Sequence, residues 1–274
     1  MKNLTILDAP NGVNGVTASK LEKRRCLECP KTEKQSAGFV PVDDEGNYLL
    51  SIDAKHLLAA VEIQTRRVNS KAVKREAQKR LKGQEPSKRM LRDMCEQVEL
   101  EFLAKTLPSI KTVMVWMDIP NKRVAIDTSS TAVSDLVVEL LSGAVDGLGL
   151  ELPNRDDLPA KLKSYMLDNS VLPDGFDRGD SVVIKSTEED SSRAAYKVFN
   201  LFGLSDDVLQ SSDVLELGMI YDDGAQVEFK LTSTGLIKCL KMDVKPEGDL
   251  ATDFRVFAGA VAPMLNELFD TARG

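Results

Sequence analysis

The side chains in this sequence best equipped for chemistry are cations. Between positions 66 and 92 stand Arg66, Arg67, Lys71, Lys74, Arg75, Lys79, Arg80, Lys82, Lys88, Arg89 and Arg92, opposed only by Glu76 and Glu85. The local excess of nine positive charges sits in a chain whose net charge is −7. Like charge at this density destabilises a fold unless solvent or a polyanion screens it. The chemistry implied is therefore phosphate contact with release of counterions. A solvated helix face is the plainer alternative.

A second arrangement is Glu228-Phe229-Lys230, closely following Asp222-Asp223. Two-metal nucleases gather carboxylates at strand ends beside a lysine, so Asp222, Asp223, Glu228 and Lys230 outline a metal-dependent nuclease. Against that reading, Asp222-Asp223-Gly224 already makes a hairpin turn. Glu228 and Lys230 also alternate onto one strand face, where such residues ordinarily serve solubility. His56 is the one histidine, in an apolar stretch where packing is its usual role. Without it no Ser/His/Asp set can be assembled, and no serine sits in a glycine elbow. Neither a Walker loop nor a dinucleotide glycine fingerprint is present. Cys26 and Cys29 form a CxxC followed by Pro30, but Cys95 and Cys239 lie at no spacing that completes a zinc site. Chance spacing is preferred there, with zinc and thiol redox left open. The expectation is a protein with no catalytic residues, no metal and no cofactor.

The whole chain frames these residues. It has 274 residues, 42% hydrophobic and 29% charged, enough for one large or two modest domains with a sizeable core. Ordinary Gly and Pro content excludes collagenous and disordered classes, and no apolar run is long enough to span a bilayer. Met1-Lys2-Asn3-Leu4 leads into Asn, Gly and Pro rather than a secretory stretch, and four cysteines do not make a disulfide scaffold. A soluble, cytoplasmic protein is expected. Charge is divided along it: residues 1–132 carry a balance of +6 and residues 133–274 one of −13.

The elements that must position these groups follow from periodicity. Strands are expected at Leu4–Leu7, Phe39–Pro41, Tyr48–Ile52 and Leu57–Thr65, with a short helix from Ser19. Val73, Ala77 and Leu81 recur every fourth residue from Ser70, a thin apolar stripe. Lys71, Lys74, Arg75, Gln78 and Lys82 share another face of the same helix. Gly83 and Pro86 stop it, and Ser87 caps a second helix along which Leu91, Met94, Val98 and Phe102 face one way. Such a pair reads as a projecting helical hairpin with a packed base and a solvated tip.

Thr112–Asp118 and Arg123–Asp127 flank a turn and lead to a helix from Ser129 or Ser130 that turns Leu136, Val137, Leu140 and Leu141 inward. A second unit begins with a strand at Ser181–Lys185. It continues with a helix opened by Glu188-Glu189-Asp190 and reaching about Phe202, then strands Val214–Tyr221, Ala225–Leu231 and Leu236–Met242, and a last helix over about Asp253–Ala272. The fold class is α+β. It divides into a first unit of residues 1–65 and 108–153, an inserted basic hairpin (66–107), a connector (154–179) around a helix at Leu158–Met166, and a second unit (180–274).

In this order the elements resemble the RdgC family of recombination-associated DNA-binding proteins. The resemblance is carried by Lys2-Asn3-Leu4, Cys29-Pro30, Phe39-Val40-Pro41, the basic hairpin, Val113-Met114-Val115-Trp116-Met117-Asp118, Asp222-Asp223-Gly224, the basic strand with Lys238 and Lys241, and the terminal helix. It implies a homodimer closed as a ring around double-stranded DNA, bound without sequence preference, that restrains a RecA-type recombinase and is associated with the nucleoid. Lys238 and Lys241 join the hairpin cations as implied contacts. The chain departs from the family at Leu107-Pro108, where relatives place an aromatic, and at Thr187-Glu188-Glu189-Asp190, where they carry basic or amide residues. The rival readings are a metal-dependent exonuclease and a module that grips an acidic partner or a recombinase.

Overall fold

The computed structural model describes residues 1–83, 86–186, 195–198, 211–243 and 248–269. Its first sheet is built on β4 (His56–Thr65), a ten-residue strand rich in Leu, Val, Ile and Ala. β5 (Ser109–Asp118) pairs with β4 antiparallel along its whole length, from His56 opposite Asp118 to Thr65 opposite Ser109. β6 (Arg123–Ile126) and β1 (Thr5–Asp8) extend the sheet on that side, and β2 (Gln35–Val40) and β3 (Leu50–Ile52) pair with β4 on the other.

Alternation divides these strands between two cores. Leu57, Ala59, Val61, Ile63, Val113, Val115 and Met117 pack with Leu21 of α1 (Ala18–Glu22) and with Val137 and Leu141 of α4 (Thr131–Ala144). Leu136 and Leu140 are partly buried against the same cluster. The opposite face presents Leu58 and Trp116 to α6 (Leu250–Phe269). Trp116 meets Phe254 and Phe257 edge-on, with ring centroids 6.1 and 5.8 Å away. Helices α2 (Ser70–Arg80) and α3 (Lys88–Lys105) lie between β4 and β5 in the chain.

The second sheet runs β11-β10-β9-β7-β8, antiparallel throughout, with β7 (Phe176–Ser186), β8 (Ala195–Val198), β9 (Ser212–Asp222), β10 (Gln226–Thr232) and β11 (Ile237–Met242). Its apolar residues, including Leu217, Met219, Phe229 and Leu231, join α6 and α5 (Leu158–Leu167) in the cluster that holds Trp116. The molecule is thus layered: α1 and α4, first sheet, α5 and α6, second sheet. Backbone bonds stitch the sheets together, Leu4 N donating to Ile237 O at 2.8 Å and Ile237 N to Leu4 O at 3.1 Å.

The mixed α+β class and antiparallel sheets follow the sequence reading, and one element corrects it. Residues 195–198, expected within a helix, form β8, with Tyr196 opposite Ile184 and Val198 opposite Val182. Tyr and Val in alternation suit a strand, and the edge of β7 supplies the backbone partners that a local reading cannot see. Glu188, Glu189, Asp190 and Phe202 lie outside the described residues. β7 also starts earlier than expected, at Phe176, because Gly179 lets the backbone pass Gly218 so closely that an added Cβ would stand 3.0 Å from the Gly218 carbonyl carbon.

Candidate nucleic-acid interface

The basic run occupies two helices and their junction with the first sheet. Asn69 caps α2 (Ser70–Arg80), its side chain accepting from Lys71 N at 3.0 Å and Ala72 N at 3.3 Å. Ser87 caps α3 (Lys88–Lys105) by accepting from Met90 N at 3.2 Å. The helices bury a small cluster of their own, Val73 and Ala77 against Val98, with Leu91, Met94, Cys95 and Phe102 partly covered, and Leu81 and Leu103 are buried as well. Thr65 and Ser109, which flank the pair in sequence, face each other across β4 and β5. The two helices therefore leave and re-enter the sheet at one end.

Cations of one sequence class meet different fates here. Arg66 is buried, 6% exposed, and its guanidinium donates to the carbonyls of Thr106 and, at 2.8 Å, Cys29. It ties the loop after α3 to the loop before β2 and presents no charge to solvent. Arg80 is held by Glu101 through two bonds of 2.8 Å and by Glu76 at 3.1 Å. These carboxylates raise the Arg80 pKa, and Arg80 in turn holds Glu101 below the usual carboxylate range. Lys79 lies 4.0 Å from Glu76, Arg89 3.8 Å from Asp93, and Arg92 3.8 Å from Asp93 and Glu96. Arg67, Lys71, Lys74, Arg75, Lys82 and Lys88 are exposed, and among the described residues no carboxylate lies within 4.0 Å of them.

The second-sheet lysines differ. Glu216 accepts from both Lys230 and Lys238 at 3.2 Å, and Lys241 stands opposite Glu228 across β10 and β11. That face alternates in sign, whereas α2 carries a single acid, Glu76, among its cations. The candidate nuclease residues are also dispersed. Asp222 and Asp223 lie at the β9–β10 turn, Glu228 is exposed farther along β10, and Lys230 is engaged by Glu216. Among the described residues no three His, Cys, Asp or Glu side chains form a group that could hold a metal ion.

The CxxC lies on a loop pressed against β2. An added Cβ on Gly38 would stand 2.4 Å from Cys26 N, so only glycine admits this crossing. Gln64 anchors the loop, accepting from Cys29 N at 2.8 Å while its amide reaches Cys26 Sγ at 3.8 Å. Burial, and then the Glu62 carboxylate, push the Cys26 thiol above its ordinary pKa, away from the reactive thiolate. His56 Nδ1 accepts from Trp116 Nε1 at 3.3 Å and sits 3.7 Å from Asp118 Oδ1. Burial is the main cause of its lowered pKa, partly opposed by Asp118.

The base of the helical pair escaped the sequence reading. Besides Arg66 and Gln64, Lys34 Nζ reaches Glu99 Oε1 at 2.7 Å, so the loop before β2 holds α3 as well. The available signal was strand alternation carried two residues beyond Gln64, which places Arg66 on the covered face.

The family model described as "Putative exonuclease, RdgC" matches residues 1–271. The recombination-associated protein RdgC of Cupriavidus pinatubonensis is 27% identical over 277 residues, covering 93% of this chain and 91% of that protein. The protein of the same name from Bordetella parapertussis is 27% identical over 299 residues, covering 100% and 98%. That from a Janthinobacterium species is 26% identical over 293 residues, covering 97% and 95%. These relatives are named for recombination, and the exonuclease wording belongs to the family model. The family model spans residues 1–271 and the relatives match this chain nearly end to end: the chain belongs to the RdgC family.

Proposed function

We propose that this protein binds double-stranded DNA without sequence preference, as a ring-shaped homodimer associated with the nucleoid, and restrains a RecA-type recombinase by occupying its substrate. No enzymatic step is assigned to it. The observation that carries the reading is the set of six exposed cations on and beside α2 and α3 with no described carboxylate within 4.0 Å. Lysine and arginine contacts to phosphate depend on charge, not on base identity, which gives affinity without sequence readout. The acidic remainder keeps the body soluble and turns the basic arm toward the polyanion. The relatives' name supports a place in recombination. Among the described residues no helix is long and apolar enough to cross a membrane.

The test is a mobility shift on circular and linear duplex across a salt series. Log affinity should fall with log salt at about −0.9 per phosphate contacted, and Lys74→Glu with Arg75→Glu should flatten the slope on every sequence. Retention on circles after linear DNA has dissociated would support encirclement. Salt-insensitive binding, or binding unchanged by the double reversal, would overturn the arm as the contact. Incubation with Mg²⁺ or Mn²⁺ addresses the exonuclease wording: cleavage that disappears in Glu228→Ala would replace the non-enzymatic reading.

A further inference from the structure

We infer that the arm is also a docking site for an acidic peptide with a bulky apolar anchor, seated between α2 and α3. A groove of about 460 Å³ runs there, floored by Val73, Leu91 and Cys95 and rimmed by Lys74, Lys88 and Arg92. That volume falls in the range of pockets that enclose small ligands, roughly 300–1,000 Å³. Glu99 also borders the groove, but Lys34 engages its carboxylate at 2.7 Å, which cancels the one acidic charge on the lining.

The floor and rim together select the occupant. Lys74 and Lys88, with no described carboxylate within 4.0 Å, call for anionic groups, which duplex DNA and an acidic peptide both supply, while Arg92 already faces Asp93 and Glu96 at 3.8 Å. The apolar floor separates them, because a sugar–phosphate backbone has no bulky apolar side chain to insert and paired bases stay stacked. A peptide with Asp or Glu beside Leu or Phe satisfies both surfaces at once, its carboxylates on Lys74 and Lys88 and its apolar side chain over Leu91 and Cys95. Lys74 and Lys88 also belong to the DNA-contacting set, so peptide and DNA compete for the arm. A protein carrying such a segment would release the arm from DNA. This function goes beyond the DNA reading, and the test separates the two.

The experiment uses the full-length protein and a fluorescein-labelled Asp-Asp-Glu-Leu-Phe peptide. Controls replace the acids by Asn and Gln, or the Leu-Phe pair by Ser-Ser, and binding is read by fluorescence anisotropy. Each control peptide should bind at least about tenfold more weakly, the effect of losing one buried apolar side chain or its paired charges. Cys95→Trp, which fills the floor, should reduce peptide affinity by a similar factor while duplex binding stays within about twofold. Leu91→Ser, which leaves the floor open but less apolar, provides a second variant should Cys95→Trp fold poorly. In the wild-type protein the parent peptide should slow alkylation at Cys95, followed by peptide mass spectrometry, and leave exposed Cys239 unaffected. Equal binding of the Ser-Ser peptide would reduce the effect to charge alone and overturn the groove. So would unchanged binding in both floor variants, or protection of Cys95 by DNA with an unpaired base and not by the peptide.

Discussion

Arg66 carries the same charge as its neighbours in the basic run, yet it works inside the protein. Its guanidinium joins two carbonyls, of Thr106 and Cys29, that no other described donor reaches. Arg66→Ala removes both bonds and leaves one buried and one part-buried acceptor beside a cavity, a loss of about 2–4 kcal/mol. Arg66→Lys should rescue little of it, since one ammonium does not reproduce the planar fork. Urea denaturation checks the stability, and the salt slope of DNA binding should match wild type for both variants where they remain folded. His56 allows a second residue-level prediction. Its pKa is lowered in the folded state, so between its unfolded value of about 6.5 and the lower folded value the unfolded chain binds more protons. The contribution of neutral His56 is therefore fully present above pH 6.5 and is lost as pH falls through that window. His56→Gln keeps an acceptor for Trp116 Nε1 and removes the proton, so stability measured from pH 7.5 to 5.5 should decline less steeply than in the wild type.

At the scale of elements, α2 and α3 were legible because their signals are local. Asn69 and Ser87 cap them, Val73, Ala77 and Leu81 mark the buried stripe, and Gly83 with Pro86 breaks the chain between them. What the sequence could not show was which cations are already neutralised. Arg80 meets Glu101 across the helical pair, 21 positions along the chain, and only packing of α2 on α3 reveals the pairing. Lys238 is similar, because β10 and β9 bring Glu216 to it from another strand. This sorts the expected contacts into two groups with different behaviour on DNA. Lys74→Ala and Arg75→Ala should each lower the salt slope by about 0.9. Arg80→Ala should leave the slope nearly unchanged and loosen the α2–α3 contact, seen as faster amide exchange in both helices. An Arg80→Ala slope reduced as much as that of Lys74→Ala would mean that the Glu101 pair opens on DNA. β8 shows the same limit: Tyr196 and Val198 suit a strand, but two such residues do not mark one locally, and its partner β7 decides the outcome.

For the whole molecule, the decisive element is α6, which lies between the sheets and belongs to both. Phe254 and Phe257 meet Trp116 on the first sheet, while Ala258, Val261, Met264 and Leu265 share a buried cluster with Leu217, Phe229 and Leu231 of the second. Hydrophobic periodicity marks α6 as amphipathic but does not name the sheets it covers. The bridge between Leu4 and Ile237, at opposite ends of the chain, carries no sequence signal at all. A shared core predicts that the two sheets unfold together. Trp116 is the single tryptophan, so its fluorescence reports the contact between the first sheet and α6. Fluorescence and far-ultraviolet circular dichroism should then give coincident urea transitions. Phe254→Ala should shift both by the same amount, at a cost of about 3–5 kcal/mol. Two separated transitions would show that each sheet holds its own core and that α6 rests on one of them. The helical pair should depart from this behaviour, because its own cluster rests on three buried residues among those described, Val73, Ala77 and Val98. Its amides should exchange through openings of lower free energy than the global transition, and duplex DNA should protect them more than it protects β4 or β9. Equal protection across both sheets and the arm would place DNA elsewhere on the protein.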